Sequence, residues 1–313
     1  TLHGSSAASD VYKRQMSLHT PISVRKRHPL IGAELTGVDL RCPLDNNLFE
    51  RIHSLWMENL VLVFPNQSLN DEQHIKFGSQ FGELEVHPSL AHRSSANREI
   101  YRVSNVDESG NIIQSSETAW QYINLSWLWH TDSSFRNIPS KGSILHGIET
   151  TKRGGHTLFA NMYEAYEGLE TSIKKQIDSL YVMHDHDYII KQSRDLSKKS
   201  DKGNYESLPP VRHPLVQIHP VTGRRSLFLS PHTMDYIVGM ESSESRKLLD
   251  ELIHHATSEK FVYKHMWEND DIVMWDNRCT MHAVEPFDNT SVRRIMHRVT
   301  LVGDNQPISI VST

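Results

Sequence analysis

Ile272-Val273-Met274-Trp275-Asp276-Asn277-Arg278-Cys279-Thr280-Met281-His282 reads as a short apolar strand, a polar turn and an imidazole. Comparable β-rich runs recur at Leu60 to Phe64, Ser143 to Ile148, His156 to Ala160, Leu215 to His219, Ser226 to Leu229, Lys260 to Trp267 and Arg294 to Leu301. Turn chemistry separates several of them, as at Lys152-Arg153-Gly154-Gly155 and Val221-Thr222-Gly223-Arg224. Strands this closely spaced, with no helix between successive ones, do not build a parallel doubly wound sheet. They predict a mainly β chain with flanking helices, in a sandwich, jelly roll or barrel.

Three helical patterns stand beside the strands. One runs from about Leu44 to Asn59, with Leu48, Ile52, Leu55 and Trp56 on one face. A second follows Asn70, a good N-cap, and ends before Gly82. The third covers Ser242 to Ala256, with Leu248, Leu249, Leu252 and Ile253 as its apolar stripe. All three are read as packing elements.

Composition narrows the partners. At 313 residues, 37% hydrophobic and 23% charged, the chain can bury a substantial core. No repeat and no Gly/Pro/Ser-rich linker marks a boundary, so residues 16–313 are expected to form a single domain. Lys plus Arg number 33 against 38 Asp plus Glu, and this absence of basic excess argues against nucleic acid and anionic membrane surfaces. The longest strongly apolar run, Leu60 to Phe64, falls far short of the roughly 20 residues that span a bilayer. Only Cys42 and Cys279 are present, without a CxxC pair, which excludes a zinc ribbon or disulfide scaffold and points to a reducing, cytoplasmic setting. Residues 1–15 have neither a signal-peptide layout nor helical period, and Ser5 to Gln15 resembles a translated sequencing adapter. The natural start is expected at Met16.

Histidine is the compositional outlier, with 20 residues. In Trp127-Leu128-Trp129-His130-Thr131-Asp132-Ser133-Ser134-Phe135, an extended backbone turns residues two apart to the same side. His130 and Asp132 can therefore offer an imidazole and a carboxylate to one ion, and His282 is the candidate third ligand. Two histidines and a carboxylate on one face of a metal, with the opposite positions open, suit a non-haem iron(II) oxygenase. The same donors also suit zinc with a bound water, so a zinc hydrolase is the rival enzyme class. A ligand-binding barrel without turnover is the rival outside enzymes.

Two further features favour the oxygenase. Gly154-Gly155-His156-Thr157 is a tight turn that feeds a strand and delivers the Thr157 hydroxyl. Arg294 and Arg298 share strand parity, whereas Arg293 faces opposite. A guanidinium inside a barrel needs a carboxylate, and a hydroxyl beside it completes a site for a dicarboxylate tail.

From about Ile22 to Gly303 the chain resembles the iron(II)- and 2-oxoglutarate-dependent taurine dioxygenase family, and is closer to its 2,4-dichlorophenoxyacetate dioxygenase branch. The residues that carry the resemblance are LWHTDSSF (128–135), RGGHTLF (153–159), FVYKHMW (261–267), MWDNRCTMH (274–282) and RRIMHRVTL (293–301). The resemblance implies a double-stranded β-helix in which His130, Asp132 and His282 hold iron(II). It implies that Thr157 and Arg294 grip the distal carboxylate of 2-oxoglutarate, with dioxygen as the other cosubstrate. His87, Ser133 and Arg298 match positions at the substrate's anionic head. The implied reaction couples oxidative decarboxylation of 2-oxoglutarate to hydroxylation of a small anionic substrate, with ether or C–S cleavage where the hydroxylated carbon allows it. The branch favours carboxylates resembling aryloxyalkanoates, with sulfonates as the alternative, and the family suggests a homodimer or homotetramer.

The chain also departs from the family. Leu90 and Ser126 stand where the taurine enzyme has a tyrosine and an asparagine, which argues against taurine. His156 replaces an acid in the GG-acid-Thr motif, and the interval from His282 to Arg294 is one residue longer than usual. Parity with Arg298 selects Arg294 over Arg293. Other conspicuous residues are read blandly: His184-Asp185-His186-Asp187 as a solvated or hydrogen-bonded strand edge, Trp127 and Trp129 as core walls, and Cys279 as a small buried side chain. The polar stretches Asn105 to Ala119 and Lys191 to Pro210 are read as solvated loops, the second also a candidate lid.

Overall fold

A computed structural model of the protein describes residues 22–86, 93–188 and 208–310. The proposed non-native extension, His87, Leu90 and most of the candidate lid lie outside the described residues.

The described residues open with β1 (Ser23–Lys26), β2 (Ala33–Thr36), α1 (Asn46–Asn59), β3 (Val61–Phe64), α2 (Asp71–Ser79), β4 (Tyr101–Arg102) and α3 (Thr118–Leu125). The middle contains β5 (Gly142–Glu149), β6 (Thr157–Asn161), α4 (Met162–Glu167), α5 (Thr171–Ile177), β7 (Tyr181–His184), β8 (Val211–Pro214), β9 (Val216–Ile218), β10 (Arg225–Leu227) and β11 (Met234–Ile237). They end with α6 (Ser242–Ala256), β12 (Val262–His265), β13 (Ile272–Asp276), β14 (Thr280–Val284), β15 (Ile295–Leu301) and β16 (Ile308–Ser309).

Among the described residues seven strands form the major sheet in the order β1-β2-β3-β13-β5-β15-β4, beside three-stranded sheets β12-β6-β14, β11-β7-β8 and β10-β9-β16. The architecture is a double-stranded β-helix. Neighbours far apart in sequence, such as β3 with β13, are what this winding requires.

Strand alternation assigns the two faces of the major sheet. Val61, Val63, Leu145, Val273, Trp275 and Met296 point inward and meet Phe159 and Tyr263 from the opposing small sheet. Leu62, Phe64, Ile144, Ile272, Met274 and Val299 point outward and are covered by Ile52, Leu55 and Trp56 of α1 and Phe77 of α2. The helix after Asn70 is closed by a capping box, in which the Asn70 and Gln73 side chains each accept the other's backbone N–H. A separate cluster packs α4 and α6 against β7, β9 and β11. No helix among the described residues is long and apolar enough to cross a membrane.

The stretch from Asn105 to Ala119 differs from a solvated loop. Asn105 is buried, its amide donates to the carbonyls of Asn289 and Val292, and its Oδ1 accepts from the Arg294 amide. The loop therefore brackets the segment leading into β15, and helix α3 starts before the stretch ends. His184 is fully buried on β7, its Nδ1 2.9 Å from Thr233 Oγ1, so at that residue the hydrogen-bonded role holds rather than the solvated one, on a strand that lies between β11 and β8 and not at an edge.

Candidate active site

His130 follows α3 and lies opposite His282 of β14 in an isolated antiparallel pair. Each backbone N–H donates to the other's carbonyl at 2.9 Å, and the imidazole centroids stand 4.2 Å apart. The next turn of the chain is anchored at Thr131, whose hydroxyl donates to the Leu229 carbonyl. Asp132 then brings its carboxylate beside both rings, with Oδ1 4.0 Å from His130 Nε2 and Oδ2 3.8 Å from His282 Nε2. One donor atom from each of the three residues lies within 4.8 Å of the others.

The electrostatics suit a divalent cation. Burial, aided by the neighbouring His282, pushes His130 down to about 3, and burial pushes His282 down to about 4. Both rings are therefore neutral at neutral pH and could each offer a lone pair to a metal. His130 Nδ1 lies 2.8 Å from the Leu128 carbonyl, so that nitrogen carries the proton and Nε2 keeps its lone pair for a metal. Burial raises Asp132, but Arg298, the two imidazoles and the Ser143 hydroxyl outweigh it and hold the carboxyl well below its usual range.

A second polar locus lies along β6. Phe159 pairs with His282, and Thr157 pairs with Val284, so Thr157 and His282 project to the same side of this small sheet, one pleat repeat apart. That repeat is about 6.8 Å, a span suited to a short diacid. Trp267 Nε1, which can only donate, reaches Thr157 Oγ1 at 2.9 Å. The Thr157 proton is thereby left to be given to another acceptor. Arg294 is buried, its Nε donates to the Gly155 carbonyl at 3.1 Å, and its Nη2 has no partner. Burial pushes this guanidinium down to about 10, with no carboxylate among the described residues offsetting it. Such an arginine is built to receive an anion. Arg293 points the other way, to the carboxylate of Glu149 at 3.1 Å and the Gly110 carbonyl.

The model of the family described as "Taurine catabolism dioxygenase TauD, TfdA family" matches residues 23–300. The chain belongs to that family. It is 35% identical over 284 residues to the alpha-ketoglutarate-dependent 2,4-dichlorophenoxyacetate dioxygenase of Cupriavidus pinatubonensis, covering 88% of this chain and 96% of that one. It is 34% identical over 280 residues to the (S)-phenoxypropionate/alpha-ketoglutarate-dioxygenase of Sphingobium herbicidovorans, covering 87% and 92%. The crystal structure of AAD-2 in complex with Mn(II) and N-oxalylglycine superposes with a TM-score of 0.81 at 33% identity, covering 93% of this chain and all of that one. This TauD/TfdA-family protein is accordingly an iron(II)- and 2-oxoglutarate-dependent dioxygenase, which decides against the zinc hydrolase and the barrel without turnover.

The remaining candidates of this dioxygenase are dispersed around Asp132. Arg298 donates from Nη1 to Asp132 Oδ1 at 2.7 Å, lies 4.8 Å over the Tyr101 ring, and has a buried Nε without a partner. Ser133 adopts a left-handed backbone, φ 54°, and its hydroxyl donates to Glu85 Oε2 at 3.1 Å. Several neighbours carried no local sequence signal. Glu85 is a buried carboxylate pushed up by burial and opposed by Arg136, 3.9 Å away. The His232 ring stands 5.6 Å from His130, yet His232 is not among the three clustered donors. Trp267 ended a recognised motif, but its link to Thr157 depends on β12 lying beside β6.

A second buried group, His219, Asp276 and Cys279, also brings potential ligands together. Its charges are already matched: Arg278 forks onto both Asp276 oxygens, His219 Nε2 reaches Asp276, and His219 Nδ1 accepts backbone N–H groups from Val221 and Thr222. It is a structural hub.

Proposed function

We propose that His130, Asp132 and His282 hold the iron(II), that Thr157 and Arg294 bind the distal carboxylate of 2-oxoglutarate, and that Arg298 receives the anionic group of a small organic substrate. The observation that carries this reading is the pairing of a neutral-imidazole and carboxylate cluster with a buried arginine whose Nη2 is open. Iron(II) with 2-oxoglutarate supplies dioxygen activation and hydroxylation of a substrate C–H bond.

The chain's own residues set geometry and polarity around that chemistry. Leu128 fixes the His130 tautomer through its carbonyl. Trp267 orients the Thr157 hydroxyl toward an incoming carboxylate, while Gly155 holds the arginine that completes the grip. Arg298 uses one edge on Asp132 and keeps its Nε for the substrate anion.

For substrate, we favour a carboxylate of the aryloxyalkanoate type, in keeping with the 2,4-dichlorophenoxyacetate and (S)-phenoxypropionate dioxygenase relatives. Hydroxylation of a carbon bearing an ether oxygen leaves a hemiacetal that collapses, so such a substrate is cleaved. The unpaired cysteines of the described residues agree with a cytoplasmic enzyme, and a homodimer or homotetramer is the proposed assembly. His87 is proposed as a further contact to the anionic head.

Succinate release tests the reading, assayed with iron(II), 2-oxoglutarate and a panel of aryloxyalkanoates, sulfonates and sulfate esters. The expected result is succinate formation stimulated by an aryloxyalkanoate with matching release of a phenol. Stimulation only by a sulfonate or sulfate ester overturns the substrate class. Activity unchanged in His130→Ala overturns the metal assignment.

A further inference from the structure

Asp132 is held from behind by a chain of hydrogen bonds whose direction is set at its far end. Trp275 Nε1 donates to Asn277 Oδ1 at 2.9 Å. Indole N–H has no acceptor function, so it fixes the amide with its oxygen toward Trp275 and its NH2 away. The Asn277 Nδ2 then donates to Ser140 Oγ at 3.0 Å and to Ser143 Oγ at 3.2 Å. With a lone pair of each serine engaged in this way, both hydroxyl protons are turned onward. Ser143 donates to Asp132 Oδ2 at 2.7 Å, and Ser140 donates to the Asp132 backbone carbonyl at 3.2 Å.

All four residues of this chain are essentially inaccessible to solvent, so water cannot replace a missing link cheaply. Strand register maintains the spacing, since Trp275 of β13 lies directly opposite Ser143 of β5. The same indole packs 4.8 Å from the His282 ring, so one side chain contacts His282 directly and reaches Asp132 through Asn277 and Ser143.

We propose that Asn277 is a positioning residue for the metal carboxylate: working through Ser143, it sets the side-chain orientation of Asp132, and through Ser140 it sets the backbone of the same residue. Neither serine nor the asparagine belongs to the donor cluster itself. The inference rests on the reading of His130, Asp132 and His282 as metal ligands, and deepens it by naming what aims the carboxylate. Outer partners of this kind typically govern metal affinity by 10–100-fold.

The test is Co(II) binding by calorimetry on the purified full chain, with the melting temperature of the metal-free protein measured in parallel. Asn277→Asp keeps the acceptor for Trp275 and the side-chain size but removes both N–H donors. Ser143→Ala removes the last link. Each is expected to weaken Co(II) binding by about 10–100-fold, with Ser143→Thr, which restores a hydroxyl, recovering most of the loss. Because the route to Oδ2 runs through Ser143, Asn277→Asp added to Ser143→Ala is expected to weaken binding less than the product of the two single effects. Wild-type affinity in folded Asn277→Asp and Ser143→Ala proteins overturns the proposal, as does a lowered melting temperature with unchanged affinity. Full multiplicativity overturns the serial order. Should Asn277→Asp fail to fold, Asn277→Leu, similar in size with neither charge nor donor, takes its place, and wild-type Co(II) affinity in that variant overturns the proposal. Absence of Co(II) binding by the wild-type chain instead overturns the metal reading beneath the proposal.

Discussion

His130 and His282 exchange both backbone hydrogen bonds across a two-residue ladder, 2.9 Å in each direction, although 152 positions separate them in the chain. Directly opposed residues project to the same side of a ladder, so this exchange places both imidazoles at one point whatever the intervening sequence does. Replacing either ring leaves the two backbone bonds available. His130→Ala and His282→Ala are therefore expected to fold, yet to lose more than the roughly 100-fold in iron(II) affinity that outer partners govern. His232→Ala, beside His130 but outside the donor cluster, is expected to bind iron(II) nearly as well as the wild type. Metal titration followed by circular dichroism checks both, and equal losses in all three variants would sink the ligand assignment.

Arg294 and Arg293 are adjacent and chemically identical, which makes them a sharp pair. Arg294 is buried with an open Nη2, while Arg293 meets Glu149 at the surface. Arg294→Lys loses the planar fork and is expected to raise the KM for 2-oxoglutarate by roughly 10–100-fold, corresponding to about 1.5–3 kcal/mol for hydrogen bonds to a charged group. Arg293→Lys disturbs an exposed ion pair of the kind that contributes about 1 kcal/mol or less, and should leave KM close to the wild-type value. A reversed order in steady-state kinetics would reassign the anchor.

What was legible in the sequence is what short-range geometry dictates. The apolar stripe of Ser242 to Ala256 gave helix α6 at its observed bounds, and Asn70 marked the start of α2 because a cap is a local bond. Strand parity separated Arg293 from Arg294, even though β5 carries an irregularity opposite Ile295 and Met296. Asn105, Glu85 and Trp267 could not be read in this way. Asn105 looked like one more polar loop residue, and its partners near Val292 are 187 positions away. Glu85 acquires its setting from Ser133, and Trp267 from Thr157, through strand pairings that no local pattern encodes. The short helices α4 and α5 were missed because each supplies too few residues to establish a period.

Gly155 couples backbone conformation to Arg294, the proposed cosubstrate anchor. Its φ is +66°, and a Cβ built there meets Thr151 Oγ1 at 2.6 Å and Arg294 Cδ at 3.3 Å. Gly155→Ala thus imposes left-handed strain and crowds the arginine stem. A stability loss of about 1 kcal/mol or more is expected from the backbone alone. The diagnostic result is a raised KM for 2-oxoglutarate in addition to the lowered melting temperature. A lowered melting temperature with unchanged KM would show that Arg294 does not feel the turn.

Buried neutral histidines away from the proposed ligands predict acid sensitivity. Burial pushes His74 from 6.5 to about 3, and its Nε2 lies 3.1 Å from the Ile144 carbonyl; burial pushes His213 to about 4, with its Nε2 2.9 Å from the Arg136 carbonyl. Each folded-state value lies below the unfolded value, so below pH 6.5 the unfolded chain takes up the proton and the folded chain does not. Their stabilising contribution is present above the unfolded value and is lost as pH falls toward the folded one. At about pH 5.5 each group should have cost about 1 kcal/mol relative to neutral pH. Urea unfolding of the metal-free protein at the two pH values measures the sum. His74→Gln keeps a donor for the Ile144 carbonyl but does not titrate, so its loss over the same interval should be smaller by about 1 kcal/mol. Parallel losses in the variant and the wild type would place the acid sensitivity elsewhere.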